Sequence, residues 1–173
     1  MLPSGRIAAV LLVAGIVAGG AWALLPGRLG PVRVETAAVL GVGNAPPIAV
    51  TFSTPEDLAA ARARLRLDYV AARLAACGNE ALDRQAVVTQ AGEVLPSGAQ
   101  VRQLAVGADG RFRYRVVFDG QLATIVDHQA RFTPAIAAPG GLCLSLYGAR
   151  MWWGSAHSGV VPVSIGAKGE AGS

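Results

Sequence analysis

The chain has 173 residues, enough for one domain of ordinary size beside an N-terminal segment, and one hydrophobic core is expected. Its net charge of +4 is spread thinly, whereas nucleic-acid binders concentrate positive charge on one face, so no nucleic-acid partner is expected. Lys168 is the sole lysine among 15 basic residues, a bias that GC-rich coding produces without selection for bidentate arginine contacts.

Residues 1–6 read as a short cytoplasmic N-terminus. The next 19 residues, 7–25, carry no charge and lie between Arg6 and Pro26-Gly27-Arg28. As a helix they would span about 28 Å, against about 30 Å for the hydrocarbon core of a bilayer. A cleaved export signal has an apolar stretch of only about 7–15 residues, so length favours a retained single-pass anchor. Ala21-Trp22-Ala23 nevertheless has the small-x-small form of a processing site, which leaves cleavage after Ala23 as the alternative. The arginine count on the two flanks is nearly balanced, and N-in with the C-terminal domain in the periplasm is the orientation chosen. Within the span, Ala14, Gly15, Ala18 and Gly19 form overlapping small-xxx-small pairs, the spacing that lets two membrane helices pack closely. In a chain this rich in Gly and Ala the same spacing also arises by chance.

Residues 26–46 read as a Gly/Pro-punctuated tether containing one extended piece, "VRVETAAV". The globular domain is assigned to 47–166 and begins with the strand "PIAVTF". Thr54-Pro55-Glu56-Asp57 then has the form of a helix start: a threonine cap, proline at the first helical position and acids in the first turn. The predicted helix runs over about 55–76 and stops at Cys77-Gly78. It carries two apolar stripes, Leu58/Ala61/Leu65/Tyr69/Ala72/Ala76 and Leu67/Val70/Leu74, so two surfaces need covering, by the domain itself or by a docked partner.

Beyond Leu82 the apolar period shortens to two residues. "RQAVVTQ" and "AQVRQLAV" are plausible strands, and "RFRYRVVF" alternates arginine against aromatic and aliphatic residues. Asp119-Gly120 has the composition of a two-residue hairpin turn, with "QLATIVDHQARF" as the returning strand. A loop over 134–141, the strands "LCLSLY" and "VVPVSI", an edge position signalled by Pro162, and a disordered tail over 167–173 complete the chain. The expected fold is α+β, or a mainly β sandwich with one helix: a single transmembrane helix followed by one small antiparallel domain.

Cys77 and Cys143 are the two cysteines, without CxxC or metal-ligand spacing. They read as one disulfide in an oxidising compartment or, failing that, as two buried thiols. Arg111, Arg113 and Arg115 should project from one sheet face, either as a solvated surface or as a collector of anionic groups. Asp127-His128 and Ser155-Ala156-His157-Ser158 hold the residue types of a hydrolase, but no nucleophile-elbow motif surrounds them, and His128 shares strand parity with buried positions. Trp152 and Trp153 lie in a Gly/Ser-rich loop, as caps of the core or as exposed contact residues.

Together these readings imply a non-enzymatic accessory or structural subunit of a bacterial-type envelope or inner-membrane complex, with no cofactor or metal. Its expected partners are membrane protein subunits and lipid. A periplasmic module that binds glycan or lipid through the tryptophan loop is the alternative, and a hydrolase comes third.

Overall fold

The structure, a computed structural model, describes residues 27–90, 100–150 and 154–166. The chain is mostly β, with 56% strand against 9% helix, and this corrects the α+β expectation. In chain order the strands are β1 (Gly27–Arg28), β2 (Arg33–Val39) and β3 (Ile48–Thr54), then the helix α1 (Leu58–Leu65), then β4 (Tyr69–Ala76), β5 (Asn79–Gln90), β6 (Gln100–Gln103) and β7 (Phe112–Phe118). After these come β8 (Gln121–Val126), β9 (Gln129–Pro134), a 3-10 turn (Ala135–Ala137), β10 (Leu142–Ala149), β11 (Ser155–His157) and β12 (Val161–Val163).

Two sheets result. The larger has the order β1-β11-β10-β4-β5-β8-β9, with β12 also paired to β10; the smaller has the order β2-β3-β7-β6. Strand alternation sends Ile48, Val50, Phe52, Val116 and Phe118 of the small sheet into one apolar cluster with Val70, Leu74, Leu144 and Leu146 of the large one. Each of these side chains is almost fully withdrawn from water, and burying a side chain of this size stabilises the fold by about 1.5–3 kcal/mol. Residues 27–39 of the stretch read as a tether are woven into both sheets through β1 and β2.

The helix predicted over 55–76 is corrected at both ends. It begins three residues later than the threonine cap suggested: Asp57 is the N-cap and its carboxylate accepts from the Ala60 amide, while Thr54 closes β3. It ends after Leu65, because Arg66 takes the left-handed conformation (φ 53°) and its amide turns back to the Ala63 carbonyl. The chain re-emerges as β4, whose alternation sends Val70, Ala72, Leu74 and Ala76 inward and Tyr69, Ala71, Arg73 and Ala75 outward. Cys77-Gly78, read as the helix stop, is the turn between β4 and β5, with Gly78 at φ 78°. Leu67 lies over Gly148, where any added Cβ would collide with it.

Two further expectations change. Asp119-Gly120 does not close a hairpin; it carries the chain from β7 in the small sheet to β8 in the large one. Gly120 has φ 80° and sits so close to the Pro46 carbonyl that a Cβ has no room. The segment "QLATIVDHQARF" is itself a hairpin, β8–β9. Asp127 and His128, at φ 50° and 62°, are its turn, so His128 is exposed instead of sharing a buried strand face.

Cys77 and Cys143 form a disulfide, with Cα atoms 5.1 Å apart, that ties the end of β4 to β10. Closing a loop of 66 residues stabilises the fold by about 4 kcal/mol in the chain-entropy account. Among the described residues no helix is long and apolar enough to cross a membrane. The proposed span 7–25, with Ala14, Gly15, Ala18 and Gly19, lies outside the described residues, as do Trp152 and Trp153.

Candidate functional site

Three surfaces hold the residues that could carry function. The first is the outer face of the small sheet. β7 alternates as its sequence suggests: Tyr114, Val116 and Phe118 point inward and Arg113 and Arg115 outward, with Arg111 just before the strand. Two of the three arginines are engaged within the fold. Arg111 donates to the Ser53 hydroxyl (3.0 Å), the Ser53 carbonyl (3.0 Å) and the Pro31 carbonyl (3.2 Å), stitching the start of β7 to β3. Arg113 pairs with Glu35 of β2 at 3.0 Å. Arg115 is exposed, directly opposite the exposed Arg102 of β6, so one cationic pair remains on the surface.

On the inner side of the same strand, the Tyr114 hydroxyl donates to Asp57 at 2.7 Å and accepts from the Leu58 amide at 2.9 Å. Burial, and then the hydrogen bond to Asp57, push the phenol far above its ordinary value, so it stays neutral. This contact positions the helix start and is structural.

The second surface is the outer face of the large sheet at its β10–β11 end. Tyr69, Tyr147 and His157 form a row across β4, β10 and β11, with ring centroids 6.1 Å and then 5.0 Å apart. Partial burial, and then the neighbouring Tyr147, raise the Tyr69 phenol. Ser155 Oγ lies 2.9 Å from His157 Nε2, the distance of a nucleophile and its base. The two residues are i and i+2 on one open strand face, with His157 exposed and its ring flanked by Tyr147. Acyl transfer also needs an orienting partner on the second ring nitrogen and donors for the developing oxyanion, neither of which is placed here among the described residues. Asp127-His128 lies in a different region, at the tip of the β8–β9 hairpin.

At the opposite end of the same sheet a shallow cavity of about 130 Å³ opens beside the disulfide, lined by Arg73, Glu80, Ser145 and Val160 among others. Arg73 is fully used there, against Asp83, the Glu80 carboxylate and the Glu80 carbonyl. Among the described residues no group of three or more His, Cys, Asp or Glu is placed to hold a metal ion.

The third surface was not singled out by sequence reasoning. β9 is an edge of the large sheet, and the β8–β9 hairpin meets β5 in register at one pair, Asp83–Ala123. Its base is anchored by buried Leu122 and Ala135, but beyond that point it projects from the core. Ile125 is 78% exposed and Phe132 57% exposed, and the register places both on the same hairpin face. The signal available in the sequence was Asp127-His128 as a turn, which would have put Ile125 and Phe132 on one side of a hairpin. Scanned against family models, curated proteins and solved structures, the chain finds no match.

Proposed function

We propose that this chain is a non-enzymatic accessory subunit of a membrane protein complex, held in a bacterial-type inner membrane by residues 7–25. The domain then works on the periplasmic side and docks on its neighbour through the β8–β9 hairpin. The observation that carries this reading is the hairpin itself, an open sheet edge beside solvent-exposed Ile125 and Phe132. Unpaired edge amides and carbonyls accept a strand from a partner, and adjacent apolar side chains supply the desolvated contact that gives such pairing its affinity. The disulfide fits an oxidising compartment.

Purification of the native protein in mild detergent tests the proposal. A stoichiometric partner should co-purify, and Ile125→Ser with Phe132→Ser should release it without lowering the melting temperature. Gly15→Leu with Gly19→Leu should weaken the same association through the membrane segment. Recovery of the parent only as a free monomer would overturn the proposal.

A further inference from the structure

The point at which the chain enters the domain has a definite place in the large sheet. β1 is parallel to β11, with Gly27 opposite Ala156 and Arg28 opposite His157. The Leu29 amide extends this pairing to the His157 carbonyl at 3.1 Å. The first described residue, Gly27, therefore lies beside the start of β11, at the Ala149 end of β10. Between the last residue of the uncharged run, Leu25, and the first paired residue, Gly27, stands Pro26 alone. At about 3.5 Å per residue, two steps of chain separate that run from the sheet by about 7 Å at most.

That end of the domain is predominantly cationic, with Arg28, Arg66 and Arg150 against one acid, Asp68, whose amide donates to the Ala149 carbonyl. Arg28 and Arg66 are exposed, and Leu65 lies within van der Waals reach of Gly27, which places the end of α1 beside the entrance. Arg150, the residue after β10, holds this corner together by donating Nε to the Leu65 carbonyl at 3.0 Å. Tyr69 starts β4 opposite Ala149 at the same end. The acidic residues Glu80 and Asp83 belong to the opposite end, with the disulfide; β4 between them has eight residues, about 26 Å of strand.

We infer that the β10–β11 end of the large sheet is a lipid-facing surface, on which Arg28, Arg66 and Arg150 lie against the headgroups of an anionic bilayer. The inference rests on the reading of residues 7–25 as a retained anchor, and adds to it a fixed orientation of the domain. Basic residues beside an anionic leaflet are attracted to it, and the attraction fades within a Debye length. The short connection at Pro26 keeps these arginines inside that distance. The disulfide and its cavity then point away from the membrane, and the β8–β9 hairpin lies across the sheet from the anchored edge.

The test uses the full chain in vesicles containing phosphatidylglycerol. Cys77 and Cys143 are paired and no described cysteine is free, so Ser155→Cys or Ala130→Cys introduces one reactive thiol for a fluorophore. Lipids carrying a headgroup nitroxide should quench the label at position 155 and leave the label at 130 bright. Arg28→Glu with Arg66→Glu, or vesicles of phosphatidylcholine alone, should abolish most of the difference. Carbonate extraction of the same vesicles separates the two levels. If the chain washes off, the anchor reading fails and takes this inference with it. If the chain resists extraction while positions 155 and 130 are quenched alike, the anchor stands and the orientation is overturned.

Discussion

β4 and β9 belong to the same sheet and have opposite fates. Every residue of β4 is buried or half-buried, with Leu74 and Val70 inside the apolar cluster and Ala71 and Ala75 covered on the outer face. In β9 the first four residues, Gln129 to Phe132, are all exposed, and one long side of the strand has no neighbour among the described strands. The sheet is thus graded from a centre that holds the fold to a rim that does not. A residue's contribution to stability should depend on its distance from β4 more than on its hydrophobicity.

The largest effect expected from this gradient is at the far end of the covered strand. Replacing both cysteines, Cys77→Ser with Cys143→Ser, should lower unfolding free energy by about 4 kcal/mol, read from denaturant midpoints with and without reductant. Leu74→Ala should cost about 3 kcal/mol, because its surroundings are packed on both sides and cannot collapse into the space left. Tyr114→Phe should cost about 1–2 kcal/mol by leaving the buried Leu58 amide without its acceptor. The same variant should alter the alkaline limb of stability. The unfolded phenol ionises near 10.0 and the folded one well above that, so the folded state binds the proton more tightly. The stabilisation is complete below pH 10 and is lost as pH rises beyond it, and Tyr114→Phe should remove that part of the loss. At the other extreme, Ile125→Ser and Phe132→Ser should each change stability by less than about 0.5 kcal/mol. A large loss at either rim position would break the contrast between the two strands.

The same contrast explains what could be read in the sequence. β7 was legible because arginine and apolar residues alternate without exception from Arg111 to Val116, a pattern that fits one wet face and one dry face. β4 was not, since a strand covered on both faces does not alternate. In "YVAARLAA" apolar residues at almost every position satisfy helical spacing by default, and alanine favours helix over strand. Arg66 removed the remaining clue, because it takes the left-handed stop position that glycine usually announces. Asp127 and His128 have the residue types of an acid and a base, but both occupy the positive-φ turn of the β8–β9 hairpin. The disulfide was one of two readings open to a lone cysteine pair, and the register that sets Cys143 opposite Ala75, two residues before Cys77, brings the pair together. The projecting hairpin depends on which strand ends the sheet, and that is a property of topology.

The two-residue strand β1 also gives the domain a mechanical character. A pull on the chain from the side of residue 26 runs along β1, and because β1 is parallel to β11 its few hydrogen bonds are loaded together in shear. Once they yield, the next ladder to resist is β2, which begins at Arg33. Between the two ladders, Leu29 and Val32 are buried in the apolar core and the Pro31 carbonyl accepts from Arg111, so tension reaches the core as soon as β1 gives way. The junction thus passes a pull on the preceding chain directly to the core, and the disulfide braces that core at the far end of β4.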